Sequence, residues 1–198
     1  MLVSMTSYIG VMRILSSFGS APLAGYTIGF RILMFALLPT FGLANAAATL
    51  VGQNLGAKQP DRAEQSVWRA CFASAAFLSL IGVAFLLGAP ALVRLFTDDP
   101  EVSHHAIRYL RIVSLGFPFY AFGMVLSQSF NGAGDTRTPT GINVLVFWVV
   151  QIPLAWALSQ HAALGPSGVF ITLGACFSLF AALSLVLFRR GRWKETRV

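Results

Sequence analysis

The sequence predicts an all-α integral membrane protein, a bundle of six transmembrane helices. Three observations carry that reading. The 198 residues are 56% apolar and only 11% charged, whereas soluble domains carry about 25% charged residues. Mean hydropathy is +0.72. The charges are also unevenly placed, because residues 32–57, 70–93, 112–134 and 138–188 contain none. A helix crosses the hydrocarbon core with about 20 apolar residues. Each of the first three stretches therefore fits one crossing, and the last fits two. These numbers exclude a water-soluble globule, which could not hide so much apolar surface, and a disordered chain. A transmembrane barrel is excluded as well, because its strands alternate in polarity over about 10 residues.

The elements follow in order. Span A is expected over 1–18, with Arg13 near one end, where a long side chain can reach the interface. The first twelve residues carry no basic run, which argues against a cleaved leader. Span B is expected over 24–56. After it, Pro60 opens a polar amphipathic stretch expected to lie along the membrane surface. Span C covers 70–93. Asp99-Pro100-Glu101 has the form of an N-cap, a proline at the first helical position and an acid in the first turn. A helix should begin there and run into span D, 106–132. The turn NGAGDTRTPT, 131–140, precedes span E, 139–159. Ser159-Gln160-His161 and Gly165-Pro166 then set the turn into span F, 166–188. Residues 1–188 form the bundle, and 189–198 form a basic tail.

Net charge is +7, and the cations punctuate the apolar runs rather than clustering on a soluble face. That pattern is a topology signal, not a nucleic-acid footprint. With six spans, the tail shares a side with the turns after spans B and D. That side holds Lys58, Arg62, Arg69, Arg137, Arg189, Arg190, Arg192, Lys194 and Arg197. The other holds Arg13, Arg31, Arg94, Arg108 and Arg111, partly offset by Asp98, Asp99 and Glu101. Both termini are therefore expected in the cytoplasm, with the chain in the plasma (bacterial inner) membrane.

Cys71 and Cys176 sit inside apolar runs and read as core residues. His104 and His105 are adjacent, so they point apart on a helix and do not make a metal pair. No metal, cofactor or catalytic residue is expected.

Five ordered stretches carry a family resemblance. They are PTFGLANAAATLVGQNLGA at 39–57, LFTDDPEV at 95–102, FNGAGDTRTP at 130–139, IPLAW at 152–156 and RRGRWK at 189–194. Together the sequence resembles the C-terminal six-helix half of a multidrug and toxic compound extrusion (MATE) efflux transporter. The resemblance implies one lobe of a two-lobed fold, with an N-terminal six-helix lobe as its partner. It implies exchange of small organic cations for Na⁺ or H⁺ across a lipid bilayer. The chain departs from the family pattern in one respect. One branch carries acids in the spans matching A and D, and here all seven acids lie in loops or the tail.

Polar side chains within spans are the candidate substrate pathway: Asn45, Thr49, Tyr120, Gln128, Gln151 and Arg31. Gly42, Asn45, Thr49, Gly52 and Gly56 fall on one helical face of span B. Tyr120, Gly123, Ser127, Asn131 and Gly134 do nearly the same in span D. Such faces serve equally as helix-packing seams joined by amide hydrogen bonds. Structural or gating candidates are Pro39, Gly52, Gln53, Gly56, Gly132, Asp135 and Pro153. Gly52 and Gly56, four apart, read as a close helix contact. A lipid-linked saccharide flippase and a non-functional fragment or scaffold are the alternatives. A flippase favours a cationic cavity, and Arg31 alone offers charge within a span. A membrane-embedded enzyme would need a metal-holding cluster, which only Asp98, Asp99, His104 and His105 approach.

Overall fold

A computed structural model describes residues 2–160 and 164–195, and the elements found there are helical throughout. They are α1 (Leu2–Ser16), α2 (Ser20–Gly56), α3 (Pro60–Arg94), α4 (Pro100–Ser114), α5 (Phe117–Gly132), α6 (Arg137–Asn143), a π-helical segment (Val144–Val150), α7 (Gln151–Gln160), α8 (Pro166–Arg189) and a 3₁₀ turn (Arg192–Glu195). His161 and Arg197 lie outside the described residues.

Four helical stretches are long and apolar enough to cross a membrane: α2, α3, α6 through α7, and α8. The α4–α5 pair makes a fifth, bent by 60°. The expected span A is shorter than drawn. Its helix has 15 residues, roughly 22 Å at 1.5 Å per residue.

The surface-lying stretch expected after Pro60 is instead the beginning of α3. Ala63, Val67, Cys71, Ala75, Leu78, Gly82, Phe85, Ala89 and Val93 are all buried. Their spacing of three or four residues makes one uninterrupted stripe, so residues 60–69 bury the same face as the span beyond. Asp61 and Glu64 accordingly ride on this helix, not in a loop. Span B likewise starts earlier than expected, at Ser20.

The Asp99 cap forms as anticipated. Its carboxylate accepts the N–H groups of Glu101 at 2.8 Å and Val102 at 3.1 Å. The helix it opens does not run on as one rod. Pro118 has no N–H to give to the Ser114 carbonyl, and α4 ends there before α5 sets off at an angle. Span E also departs from a regular α-helix. Pro153 has no N–H for the Val149 carbonyl. Two residues earlier the Gln151 N–H bonds to the Val146 carbonyl, five residues back, as a π-turn requires.

The tail packs back on the bundle through Trp193 and Lys194. The indole of Trp193 is 1% exposed, stacks on Phe188 at 4.7 Å and donates to the Phe188 carbonyl at 3.0 Å. Lys194 Nζ lies 2.5 Å from Glu64 and 3.7 Å from Asp61. The turn after α2 and the chain's end therefore lie at the same end of the bundle, called the tail side below.

Candidate functional site

The site begins with two helices running in the same direction. Going along α2, Gly25 meets His105 and Gly29 meets Tyr109, then Asn45 meets Gln128 and Gly52 meets Gly132. Both partner positions rise together, so α4 and α5 run parallel to α2. At the tail side of α5 the two backbones nearly touch. A Cβ on Gly132 would sit 2.7 Å from both the carbonyl carbon and the Cα of Ala48. Only glycine allows that approach.

The close approach leaves a polar cleft of about 480 Å³. Asn45, Ala48, Thr49 and Gly52 line it from α2, and Gln128, Asn131 and Gly132 from α5. An amide ladder bridges the helices. Asn131 Nδ2 donates to Gln128 Oε1 at 2.5 Å, and Gln128 Nε2 donates to Asn45 Oδ1 at 2.7 Å. Thr49 Oγ1 donates to the Asn45 carbonyl at 3.1 Å, one turn back in its own helix. None of the lining side chains carries a charge or titrates near neutrality. The cleft can therefore accept or donate hydrogen bonds and offer partial charge, but it cannot exchange a proton.

Five sequence candidates thus come together here: Asn45, Thr49, Gly52, Gln128 and Gly132. The other pathway candidates lie elsewhere. Tyr120 stands in the first turn of α5, and its ring packs on Phe177 at 4.5 Å and Phe180 at 6.2 Å, both on α8. Gln151 is 3% exposed at the end of the π-helical segment, and its Oε1 has no hydrogen-bond partner among the described residues. Arg31 is exposed on α2, 14 residues before Asn45, or roughly 21 Å along the helix.

The gating candidates separate in the same way. Pro39 is exposed inside α2, and Pro153 is exposed in α7. Gly56 was expected at a close contact, but a Cβ there would meet nothing within 4 Å. Only Gly52 of that pair faces a neighbouring backbone, with the Gly132 carbonyl 3.1 Å from its Cβ position. Gln53 is exposed, and its carbonyl accepts the Ala57 N–H as α2 ends. The left-handed residue at that end is Lys58, at φ 58°. Asp135 holds the turn into α6. It accepts N–H groups from Arg137 and Thr138 and the Thr138 hydroxyl. Burial pushes its pKa up, but the hydrogen bonds from Thr138 and Arg137 outweigh that and hold it below the ordinary value. One polar contributor to the cleft is not among the candidates named from the sequence: Asn131, which lies on the polar face of span D.

Comparison with known proteins gives the same architecture. The MatE family model matches residues 1–157. "Probable multidrug resistance protein NorM" of Thermotoga maritima is 26% identical over 193 residues, covering 98% of this chain and 42% of that protein. The protein of the same name in Rhodopseudomonas palustris is 30% identical over 173 residues, 85% of this chain and 36% of that one. Among solved structures, the MATE transporter ClbM in complex with Rb⁺ aligns with a TM-score of 0.92 at 23% identity, over 100% of this chain and 47% of that one. An outward-facing multidrug resistance MATE family transporter aligns with a TM-score of 0.91 at 22% identity, over 98% and 44%. The chain spans less than half the length of these relatives, and its fold is one lobe of theirs. With the family model matched over most of its length, the chain belongs to the MatE family.

Proposed function

We propose that the chain forms one lobe of a secondary antiporter that exports small organic cations in exchange for Na⁺ or H⁺. The observation that supports this most is the uncharged polar cleft between α2 and α5. It is a shallow cleft of about 480 Å³, open along one side, so this lobe offers a ligand one wall and the complementary lobe would supply the other. Amide oxygens of Asn45 and Gln128 offer partial negative charge to an organic cation, and the glycines let a flat ligand approach the backbone. A flippase for lipid-linked sugars would need cations here to meet phosphate. The cleft has none, and Arg31 is roughly 21 Å away along α2.

The lobe needs a complementary six-helix lobe to close a transport pathway. Amides do not titrate, so coupling to H⁺ would draw on a titratable group of that other lobe, whereas Na⁺ could be held by amide and carbonyl oxygens. The chain lies in the bacterial inner membrane, with the tail side and the N-terminus in the cytoplasm. The excess of Lys and Arg on the tail side supports that orientation.

The test uses everted vesicles carrying the chain together with its complementary lobe. An imposed Na⁺ or H⁺ gradient should drive ethidium uptake. Replacing Asn45 and Gln128 together by leucine removes both hydrogen-bonding partners and should cut uptake roughly tenfold. The thermal unfolding midpoint should stay close to that of the unaltered protein. Absent gradient-driven uptake, or unchanged uptake in the double variant, would refute the reading.

A further inference from the structure

A second cavity at the tail side plays no part in the transport reading. It is a groove of about 210 Å³ between α6, the π-helical segment and α8. Ile142, Leu145, Leu183 and Leu187 line it, and Arg137 and Thr138 stand at its α6 end. We propose that this groove binds an anionic phospholipid from the tail-side leaflet. One acyl chain lies along the leucines, and the phosphate sits at Arg137.

Charge complementarity selects this occupant over other lipids. Leu183, Leu187 and Arg190 are spaced by four and three residues, so Arg190 continues the stripe of α8 that lines the groove. Helical geometry persists there, with Arg190 at φ −65° and ψ −15°. Arg137 thus lines the polar end of an apolar slot, and exposed Arg190 follows three residues beyond its last α8 lining residue. The acids nearby are largely committed, although the Asp135 charge also acts on Arg137 two residues on. Asp135 accepts Thr138 and two backbone N–H groups, while Asp61 and Glu64 bind Lys194. Among the described residues no ion pair involves Arg137 or Arg190. Basic pockets between helices at the membrane surface are suited to anionic headgroups. A zwitterionic lipid would fill the slot equally well but would bring its own cation to the arginines.

The structure also supplies a way to block the groove without disturbing the fold. A Cβ on Gly141 would meet nothing within 4 Å, so Gly141→Leu projects into open groove space. The full chain, as the cell makes it, is purified in detergent, stripped of lipid and titrated with phosphatidylglycerol or phosphatidylcholine. Bound lipid is then counted by native mass spectrometry. The unaltered protein should retain phosphatidylglycerol in preference to phosphatidylcholine. Arg137→Gln should weaken that preference on the order of fivefold. Gly141→Leu should abolish the retained lipid while thermal unfolding is unchanged. Equal retention of the two lipids would overturn the proposal, as would a preference that survives either substitution.

Discussion

Replacing Gly132 by alanine adds one methyl group where α2 and α5 come closest. Its carbon would lie 2.7 Å from the Ala48 Cα and carbonyl carbon. Carbon atoms rest about 3.5–4.0 Å apart, and the obstacle is backbone, which no side-chain rotation relieves. The helices must therefore part by roughly 1 Å. Overpacking of this kind costs about 1–3 kcal/mol. The same shift stretches the 2.7 Å bond from Gln128 to Asn45 beyond hydrogen-bonding range, which costs about another 1 kcal/mol. In a chain of this size each kcal/mol lowers the melting temperature by about 2–4 °C. Gly132→Ala should then melt roughly 4–16 °C below the unaltered protein. Gly42→Ala is the control, because a Cβ there meets nothing within 4 Å. It should be neutral or more stable by about 0.5–1 kcal/mol, from helix propensity alone. Fluorescence-monitored melting in detergent reads both. If the two alanine variants melt together, the close approach of α2 and α5 is not what holds the cleft.

Trp193→Ala removes a buried ring stacked on Phe188 and should cost about 3–5 kcal/mol. Limited proteolysis should then cut at the tail, and a tail as resistant as before would count against the docking. Asp99→Ala strips two N–H groups of their acceptor and should cost about 1 kcal/mol, whereas Asp99→Asn should recover most of it in chemical denaturation. Lys194 titrates above the ordinary lysine value, chiefly because its ammonium hydrogen-bonds the Glu64 carboxylate. A raised pKa means the contribution is complete below the unfolded lysine pKa and fades as pH rises through the folded one. At this partly exposed site it should be small, about 0.2–1 kcal/mol. Melting of the native protein should fall at alkaline pH relative to Glu64→Gln, and parallel curves would remove the ion pair from the account.

The helices could be read from the sequence because a bilayer leaves few options. Uncharged stretches of sufficient length must form helices, whose backbone groups are satisfied internally. Where those helices break or extend depends on weaker signals. An uncharged run over 112–134 reads as one rod, yet Pro118 ends α4 at Ser114. The polarity of residues 60–69 suggested the membrane surface, but Ala63 and Val67 lie in register with the buried stripe of α3. Cations dominate the tail's composition, so the single aromatic that docks it, Trp193, was outweighed. Half of the site was also legible. Helical offsets put Asn45, Thr49 and Gly52 on one face. They could not tell which residues of span D would face them, because that depends on the crossing point fixed by Gly132 and Ala48. Tyr120 shares a helical face with Asn131 in the pattern, but it lies just past the bend, where the phenylalanines of α8 take up its ring.

That bend gives the amide ladder its significance. Gln128 lies 12 residues beyond Gly116, at the break between α4 and α5, or roughly 18 Å along the helix. A change of about 10° at the break would swing Gln128 by roughly 3 Å at that radius, more than the whole length of its bond to Asn45. The ladder can persist only if α5 moves with α2 as one body. The packing contact of Gly132 with Ala48, one turn beyond Gln128, works in the same direction, because parting the helices there forfeits it. Changes in bend must then be absorbed on the α4 side of the break, where Gly25 and Gly29 sit against His105 and Tyr109. The close approach at Gly132 therefore ties the cleft's geometry to that of α2, and a ligand that inserts between Gln128 and Asn45 breaks their hydrogen bond.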